Sequence, residues 1–530
     1  MPRSLIRSAA LLVCAALLAP HLAAASAYNA RPKLVVIVVI DQLGAATLER
    51  HRESFGQNGF RFLFDRGAYF SDCRYDYLNL RTAASHATIV TGAYTDGHGI
   101  PGNEFWDPQE KRMGSARDLT AKTLGGASDR GFSPKNLLAS TLGDELKLAT
   151  GGKSRVFSVS LKDAAAVITA GRAADAAYWA DRSTGLISTS TFYMAKLPEW
   201  VERFNSEKRT EKYANHDWKD ASGKIMGRST APGPRADENF YYGIGMTPFG
   251  TDYELEFARE LVASEKLGSG PATDLLILSL SSNDILGHEV GPESEQAVAM
   301  LARLDAQLGD FFGFLGRQLG LANVWLVLTS DHGASPAPIT SKKLRFPALE
   351  RGLSEVRRRA NVALAARLKR PGEYVRLMEA GFAYLDQDAF TAAGVNESDA
   401  ERAVGEVLQL MGVWQTFVTR LQLEAGGVPP TALGRRFAHS YTAHARWYSI
   451  GELTPYFIGS PGEADHLTGH NYDAQVPVLF FGLPFRQGTF RSACEVIDIA
   501  PTLSSLLGIT RPTHSNGRVL TEALAPEKAP

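Results

Sequence analysis

The chain has 530 residues, of which 44% are hydrophobic and 21% charged, and its formal net charge is −1. This length and composition support a large buried core, as one big domain with a sizeable insertion or as two domains, and argue against intrinsic disorder. The balanced charge gives no electrostatic reason to expect a nucleic acid or an anionic lipid surface as a partner.

The first 27 residues have the three-part pattern of a secretory signal peptide. Arg3 and Arg7 precede an apolar stretch at 9–19, and the small residues Ala-Ser-Ala occupy 25–27. The apolar stretch is too short to span a bilayer, so we prefer cleavage to an uncleaved anchor. We predict a signal peptide at 1–27 and a mature protein that is periplasmic or secreted and has no membrane span.

Two cysteines, Cys73 and Cys494, remain after the predicted cleavage. An oxidising compartment permits a disulfide between them, but cysteines so far apart in sequence can equally be buried free thiols. The sequence leaves both alternatives open. Neither cysteine lies among the candidate metal ligands, so a metal site should use nitrogen and oxygen ligands only.

Several apolar runs predict strands that are buried on both faces of a mostly parallel sheet. They lie at 33–40, 275–280, 325–328 and 476–481, with a shorter candidate at 156–161. Helical patterns lie between them: apolar residues recur at steps of three and four from Ala297 to Leu315, and Ser133-Pro134 predicts the start of another helix. This alternation predicts a layered α/β/α sandwich whose functional groups gather at the carboxyl ends of the strands.

The pattern changes between Gly333 and His466. Residues 351–370 are rich in Arg and Ala, and short strands broken by Gly and Pro follow. We interpret the basic cluster at 357–359 as a solvated helix face rather than a substrate-binding patch. The predicted organisation is a catalytic domain in two parts at 28–334 and 461–522, an inserted cap subdomain at 335–460 and a flexible tail at 523–530.

Six side chains near predicted strand ends are candidate metal ligands: Asp41, Asp284, His288, Asp331, His332 and His466. Asp284 and His288 are four residues apart, so on a helix they lie on one face. Such a pair is common by chance, but here it accompanies two further carboxylates and two further imidazoles. Together they suffice for two three-ligand sites with open positions, suited to a borderline cation such as zinc.

The segment 81–88 (RTAASHAT) contains the candidate nucleophiles. A hydroxyl near the start of a helix and beside a cation gains two sources of stabilisation for its alkoxide, the helix dipole and the metal. The residues alone do not decide which of the three hydroxyls in this segment reacts.

In order and spacing, these motifs resemble the alkaline phosphatase superfamily. The likeness runs from about residue 33 to 508 and rests on Asp41, the segment 82–103, Asp284-x3-His288, Asp331-His332-Gly333, His466 and the stretch 497–503. It is greatest to the branch of PafA-like alkaline phosphatases and the related nucleotide pyrophosphatases and phosphodiesterases, and the segment 177–205 is similar to the PafA-like members.

The resemblance implies a role for each site residue. Thr82 would be the nucleophile, Asn103 would donate to a non-bridging phosphoryl oxygen, and Lys162 would contact the phosphoryl group. Two zinc ions per chain are implied, one held by Asp284, His288 and His466 and the other by Asp41, Asp331, His332 and Thr82. His466 is preferred to His470 because its spacing to Asp473 fits the family loop, and His86 and His98 are expected to shape the nucleophile loop.

One position departs from the PafA-like pattern. The family has an arginine two residues after the lysine, and this chain has Ala164 there. Two divalent ions balance three carboxylates and one alkoxide, so a monoester dianion would meet only the Lys162 charge. The departure weakens the case for monoesters and keeps diesters in consideration.

The sequence therefore predicts an exported two-zinc phosphoester hydrolase that forms a phosphothreonine and acts on small molecules. A phosphomonoesterase is favoured, with a phosphodiesterase or nucleotide pyrophosphatase as the alternative. A sulfatase is disfavoured because residues 82–86 lack the proline and arginine of the sulfatase motif. A non-catalytic, metal-stabilised binding protein is the hypothesis of a different class.

Overall fold

The computed structural model describes residues 31–107, 109, 111–230, 238–345, 349–459 and 462–525, and the predicted signal peptide at 1–27 lies outside them. The strands are β1 (Leu34–Ile40), β2 (Ala68–Arg74), β3 (Glu104–Asp107), β4 (Lys111–Gly114), β5 (Thr123–Leu124), β6 (Val156–Ser160), β7 (Ala176–Ala180), β8 (Ile187–Ser190), β9 (Asp217–Lys219), β10 (Ile225–Arg228), β11 (Asp274–Leu280), β12 (Val324–Thr329), β13 (Leu349–Glu350), β14 (Val375–Glu379), β15 (Phe382–Leu385), β16 (Trp414–Thr419), β17 (Tyr448–Leu453), β18 (Phe457–Ile458), β19 (Gln475–Phe481), β20 (Gly488–Phe490) and β21 (Cys494–Glu495). The helices are α1 (Ala45–Arg50), α2 (Phe60–Arg66), α3 (Thr82–Thr91), α4 (Thr95–His98), α5 (Leu142–Ala149), α6 (Asp163–Ala170), α7 (Glu199–Ser206), α8 (Glu238–Ile244), α9 (Pro248–Ser264), α10 (Ser282–Val290), α11 (Glu295–Leu319), α12 (Pro338–Lys343), α13 (Leu353–Leu368), α14 (Gln387–Ala392), α15 (Glu397–Leu410), α16 (Arg420–Glu424), α17 (Ala432–His439), α18 (Asn471–Ala474) and α19 (Ile499–Leu507).

A large central sheet organises the chain. Its strand order is β20-β2-β19-β12-β1-β11-β6-β7-β8-β5, with β21 also paired to β2. The strands β12, β1, β11, β6 and β7 are parallel neighbours, whereas β19 and β8 run antiparallel to the strands beside them. The predicted α/β class with a mostly parallel central sheet is confirmed.

The central strand β1 is apolar on both faces, so both faces of the sheet must be covered. Successive side chains of a strand point to opposite faces, and all seven residues of β1 are fully buried. Val35, Ile37 and Val39 pack with residues of α3, α6 and α19 on one face. The four alternate residues from Leu34 to Ile40 pack with α9 and α11 on the other. Each such burial contributes about 1.5–3 kcal/mol to the free energy of unfolding.

A second, smaller sheet lies in the chain between β12 and β19, within the segment predicted as the cap. Its order is β14-β15-β17-β16, and its strand pairs are antiparallel. One face has its own hydrophobic cluster with α13 and α15, which includes Leu364, Val404 and Trp414. The opposite face packs on the β3–β4 hairpin, where Phe382 contacts the same cluster as Phe105. This smaller sheet, called the cap sheet below, thus covers one side of the part of the chain that contains the central sheet.

The predicted strands correspond closely to observed ones. Those at 33–40, 156–161, 275–280, 325–328 and 476–481 are confirmed as β1, β6, β11, β12 and β19. The predicted amphipathic helix from Ala297 to Leu315 is confirmed within α11. Among the described residues, no helix combines the length and apolarity needed to cross a bilayer.

The helix start predicted at Ser133-Pro134 is wrong. The residues after Pro134 form a single turn, in which Leu137 N–H donates to the Pro134 carbonyl at 3.0 Å. The Ser133 hydroxyl donates to the Asp118 carboxylate at 2.5 Å. Helix α5 begins further along the chain, where Thr141 provides a side-chain cap. The Ser133 hydroxyl also accepts from Lys135 N–H at 3.3 Å, as a capping side chain would. The turn does not continue into a helix because the next N–H, that of Leu138, donates to the distant His98 carbonyl at 2.9 Å instead of to Pro134.

The sheet register brings the two remaining cysteines together. Cys73 in β2 lies opposite Cys494 in β21, their Cα atoms are 4.6 Å apart, and their sulfur atoms form a disulfide. The sequence had left this bond undecided, because 421 residues separate the two positions.

The ordered contacts at the C-terminal end extend beyond the predicted start of the tail at 523. Ala523 is fully buried and its carbonyl accepts from Arg486 N–H at 2.7 Å, and Leu524 forms a bridge with Phe485. Residues 523–525 therefore pack against the loop before β20. The rest of the predicted tail, 526–530, lies outside the described residues.

Candidate metal centre and active site

Four neighbouring parallel strands end at one edge of the central sheet, and polar residues follow each of them. Asp41 follows β1, Asp284 lies in the first turn of α10 after β11, Lys162 follows β6, and Asp331 with His332 follows β12. The loop before β19 lies at the same edge because β19 runs antiparallel to β12, and this loop contains His466. The topology therefore brings the predicted ligands together.

The first group of predicted ligands comprises Asp41, Asp331 and His332. The Nε2 atom of His332 lies 3.4 Å from Asp41 Oδ1 and 3.2 Å from Asp331 Oδ2. Among the described residues, these three atoms are buried and have no hydrogen-bond partner. Buried polar atoms without partners are costly. Their convergence on one point fits a bound cation.

The second group comprises Asp284, His288 and His466. Asp284 Oδ1 lies 3.2 Å from His288 Nε2 and 3.5 Å from His466 Nε2, and the two Nε2 atoms are 3.2 Å apart. Helix α10 places Asp284 and His288 one turn apart, as the spacing predicts. The rings of His466 and His332 stack with centroids 3.4 Å apart. The two groups are therefore adjacent halves of one cluster.

The orientation of the three imidazoles suits metal binding. Their Nδ1 atoms lie 2.9–3.1 Å from backbone carbonyl oxygens: His288 from Ala464, His332 from Gly333 and His466 from Leu80. A carbonyl oxygen only accepts, so each Nδ1 must be the donor. In the neutral ring the lone pair is then on Nε2, which faces the cluster. Proteins hold metal-ligating histidines in this way, with one ring nitrogen donating a hydrogen bond and the other free to bind the metal.

Lys162 lies between the two groups. Its Nζ atom donates to Asp41 Oδ2 and to Asp284 Oδ2, each at 2.5 Å. The Lys162 ammonium group bonds to two of the three carboxylates of the cluster and carries one positive charge, so the negative charge exceeds the positive in a buried setting. Divalent cations would neutralise the excess, and the nitrogen and oxygen donor set suits zinc.

The pKa values of the cluster's carboxyl groups and of His332 reflect burial and the close spacing of charged groups. Burial raises the pKa of Asp41 well above its usual range, and the nearby Asp284 and Asp331 carboxylates raise it further. Burial also raises the pKa of Asp331, to about 6. For Asp284, burial acts to raise the pKa, but Lys162, His288 and His466 together outweigh it, and the pKa falls well below its usual range. Burial lowers the pKa of His332 to about 4, which keeps that ring neutral at physiological pH.

Thr82 is the first residue of α3 and lines the cavity that also exposes Lys162, Asp284 and His466. The N-cap residue before it is Arg81, whose side chain makes no capping hydrogen bond. The Oδ1 atom of Asn103 accepts from Ala83 N–H at 2.9 Å. With Oδ1 engaged in this way, the Nδ2 group of Asn103 is the part left to donate into the cavity that it lines.

The remaining histidines lie around this site. His86 bonds through both ring nitrogens, to the Thr82 carbonyl at 2.7 Å and to the Ser279 hydroxyl at 2.8 Å. His98 contacts the Thr88 hydroxyl at 3.1 Å. The Nε2 atom of His470 faces the Leu453 carbonyl at 3.2 Å, away from the cluster. The structure brings His466, and not His470, to the predicted ligands.

Gln42 is a site residue that the sequence analysis missed. Its backbone N–H donates to Asp331 Oδ1 at 3.1 Å and its side chain donates to Asp284 Oδ1 at 3.0 Å, so it connects the two ligand groups. It has a left-handed backbone with φ of 66°. Such strain in a buried non-glycine residue is typical of functional sites. A Cβ at Gly287 would overlap Gln42 Oε1, so the site also requires this glycine.

Arg81 is the second residue that was missed. Its guanidinium group lies 3.2 Å from Glu379 Oε1 in the cap strand β14 and 3.6 Å from Asp465 Oδ1. Glu379 also accepts from Asn103 N–H at 3.0 Å. Asp465 lies close enough to His288 and His466 to count as a further candidate ligand, but its Oδ1 accepts from His466 N–H at 2.9 Å. We therefore interpret Asp465 as orienting the loop.

Comparison with known proteins agrees with this geometry. Residues 35–407 match the family model described as type I phosphodiesterase / nucleotide pyrophosphatase. The chain belongs to this family. It is 33% identical over 519 residues to alkaline phosphatase PhoV of Synechococcus elongatus, covering 93% of each chain. It is 29% identical to alkaline phosphatase PafA of Elizabethkingia meningoseptica, covering 93% of this chain and 95% of the other.

Solved structures extend the comparison. The crystal structure of wild-type alkaline phosphatase PafA matches with a TM-score of 0.85 and 27% identity, covering 93% of this chain and 99% of that chain. Murine ectonucleotide pyrophosphatase / phosphodiesterase 5 matches with a TM-score of 0.54 and 16% identity, covering 93% of this chain and 100% of that chain, which shows the fold alone. The resemblance drawn from the sequence motifs is confirmed.

We expect Gln42→Ala to weaken the retention of divalent metal, because the Asp284 carboxylate would lose the side-chain hydrogen bond that orients it, while the backbone bond to Asp331 would remain. Loss of such an orienting partner typically lowers metal affinity about 10- to 100-fold. The measurement is competition with a chromophoric chelator. Gln307→Ala is the matched control, since this buried glutamine bonds to Pro248 and Asp252 away from the cluster. Equal retention in the two variants would contradict the role given to Gln42.

Proposed function

We propose that this protein is an exported phosphomonoesterase that holds two zinc ions and uses Thr82 as its nucleophile. The main support is the set of three imidazoles whose Nδ1 atoms are held by backbone carbonyls while their Nε2 atoms converge with three buried carboxylates. Membership of a family of phosphoester hydrolases gives this cluster a chemical context. Export rests on the signal-peptide pattern and agrees with the disulfide.

Two ligand groups define where the ions would bind. Asp284, His288 and His466 would hold one ion, and Asp41, Asp331, His332 and Thr82 would hold the other. When bound, the ions supply Lewis acidity, which stabilises negative charge on the attacking and leaving oxygens. Gln42 and the three backbone carbonyls behind the imidazoles would keep the ligands in position.

Thr82 would carry the phosphoryl group between two steps. Its hydroxyl oxygen forms a bond to phosphorus as the bond to the leaving-group oxygen breaks, which gives a phosphothreonine and an alcohol. Water then attacks the same phosphorus atom and releases phosphate, which restores the threonine hydroxyl. The position of Thr82 at the first turn of α3 favours this chemistry because the positive end of the helix dipole stabilises an anionic oxygen.

Asn103 and Lys162 would bind the transferred group. The Asn103 side-chain amide is oriented by the bond from Ala83 N–H to its oxygen, so its nitrogen can donate to a non-bridging phosphoryl oxygen. Lys162 would present its ammonium group to the same phosphoryl group, since its carboxylate partners would then be bound to metal. Its pKa stays above the usual value because the Asp284 and Asp41 carboxylates outweigh the effect of burial.

A phosphodiesterase is the second candidate, and Ala164 is the observation that favours it. A monoester dianion has more charge to neutralise than a diester anion, and the arginine that the PafA-like enzymes have two residues after the lysine is absent. Relatives named alkaline phosphatases cover nearly the whole chain, and this supports the monoesterase as the first candidate.

The metal content tests the first part of the proposal. We expect the purified protein to contain about two zinc ions per chain, by elemental analysis, because there are ligands for two open sites. A strong chelator should abolish hydrolysis of an aryl phosphate, and added zinc should restore it. Hydrolysis that persists after exhaustive chelation, or metal without any hydrolysis, would contradict the proposal, and the latter outcome would favour a binding protein.

The nucleophile is tested by Thr82→Ala, which should lower monoester turnover roughly a thousandfold or more while the protein stays folded. Acid quenching during turnover, followed by peptide mass spectrometry, should find phosphate on residue 82 in the wild type. Ser85→Ala is the matched control on the same helix, because Ser85 is buried and bonds to Tyr77. Phosphate trapped on Ser85 or Thr88 would show that the assignment is wrong.

The charge argument is tested by Lys162→Ala with an aryl phosphate monoester and its matching diester. We expect monoester kcat/KM to fall about a hundredfold and diester kcat/KM less than about tenfold, because the dianion loses more charge compensation. Placing arginine at position 164 should raise the monoester-to-diester ratio. The exposed Lys122→Ala variant is the control. Equal losses of kcat/KM on both substrates, with no effect of arginine at position 164, would mean that Lys162 does not discriminate between the substrates by their charge.

A further inference from the structure

Three arginines line the active-site cavity near the position where the family arginine is missing. Arg117, Arg130 and Arg182 line the same cavity of about 900 Å³ as Thr82 and Ala164. Burial raises the pKa of the Asp163 carboxyl, and the charges of Arg182, Arg130 and Arg117 act in the opposite direction, so all three lie within electrostatic reach of residue 163. Positive charge is therefore concentrated beside Ala164.

Among the described residues, none of these three guanidinium groups has a carboxylate oxygen within 4.0 Å. Arg117 donates only a long bond of 3.4 Å to the Gly131 carbonyl, and Arg182 lies over the Tyr242 ring at 5.4 Å. Within the part of the chain that the structure describes, the arginines with a carboxylate within 4.0 Å in this cavity are Arg81, Arg112, Arg357 and Arg376. Arg117, Arg130 and Arg182, which have no such partner among the described residues, therefore form one side of the cavity, and this side is called the arginine wall below.

The backbone under the arginine wall is held by two buried aspartates. Asp181 accepts from Ser183 N–H at 2.9 Å and from Ser128 N–H at 3.3 Å, which joins the turn after β7 to the loop before residue 130. Asp118 accepts from the Ser133 hydroxyl at 2.5 Å, and its own N–H donates to the Gly131 carbonyl at 3.0 Å. The segments that present the arginines are therefore tied together, which reduces the entropy lost when an anion binds.

The cavity has room for a second group beyond the reacting phosphate. Ala164 ends at Cβ and leaves space that a longer side chain would fill. An adjoining cavity of about 480 Å³ is lined by Arg130, Asp163 and Arg182 as well. A guanidinium group binds two phosphate oxygens at once through its planar fork, so three unpaired arginines along this path suit a phosphate better than a neutral group.

We propose that Arg117, Arg130 and Arg182 form a subsite for a second phosphate, and that the preferred substrates are monoesters whose leaving group itself carries a phosphate. This inference rests on the proposed phosphomonoesterase function and specifies its substrate class. The arginines act on specificity: they attract and orient the leaving group, while the phosphoryl transfer stays at Thr82.

The test compares α,ω-alkanediol bisphosphates of increasing chain length with the alkyl monophosphates of the same length, using the zinc-loaded protein. We expect at least one bisphosphate to show a kcat/KM about tenfold or more above its monophosphate, and the ratio to fall as salt is added, because exposed charges are screened. In the double variant Arg130→Gln/Arg182→Gln, the ratio of bisphosphate to monophosphate kcat/KM should fall about three- to tenfold, the range expected for exposed charge pairs.

Arg112→Gln is the matched control, since Arg112 lines the same cavity but is paired with Glu104. The single variants Arg182→Gln and Arg182→Lys provide a second measurement, and the lysine variant should retain part of the preference. Hydrolysis of alkyl phosphates without a preference for the bisphosphate, or a preference that survives the double variant, would overturn the subsite and leave the phosphomonoesterase standing. No turnover of any monoester would overturn the proposed function itself, and the subsite with it.

Discussion

Three carboxylates buried side by side at one edge of a sheet impose the main physical constraint on this protein. Asp41, Asp284 and Asp331 are each at most 2% exposed, and burying unpaired charge is strongly unfavourable. Lys162 compensates part of this charge directly, and Gln42 contributes two hydrogen bonds. The remaining negative charge is what makes the site suitable for divalent cations. The parallel register of β12, β1 and β11 brings the three carboxylates together, so the fold itself places these candidate metal ligands side by side.

The surrounding loops provide the backbone carbonyls that orient the imidazoles. The carbonyl that holds His466 comes from Leu80, two residues before Thr82, the proposed nucleophile. The carbonyl that holds His288 comes from Ala464, two residues before His466. Arg81 joins the cap strand β14 to the same region through Glu379. A displacement of the cap or of either loop would therefore disturb the cluster. This interdependence explains why a second sheet, with a hydrophobic core of its own, packs against this side of the catalytic domain.

Much of the fold and of the candidate site could be predicted because the signals are local. A strand buried on both faces must be apolar throughout, so β1, β11 and β19 are visible as runs, and polar residues directly after such runs must lie at the sheet edge. The helix start predicted at Ser133-Pro134 was wrong for the opposite reason: the Leu138 N–H that would continue the helix donates to the distant carbonyl of His98. Gln42 was missed because a glutamine after an aspartate has no distinctive spacing.

The sequence by itself determined the fold class, the order of the ligands and the resemblance to a phosphoester hydrolase family, since strand periodicity and motif spacing are properties of neighbouring residues. Tertiary structure alone decided the pairing of Cys73 with Cys494 and the ring nitrogens that face the cluster. It also decided which arginines of the cavity have no carboxylate partner among the residues that the structure describes. Each of these depends on which groups approach across long separations in the chain. A hydrogen bond or an ion pair forms only within a few ångströms, and the sheet register, rather than local composition, sets those distances.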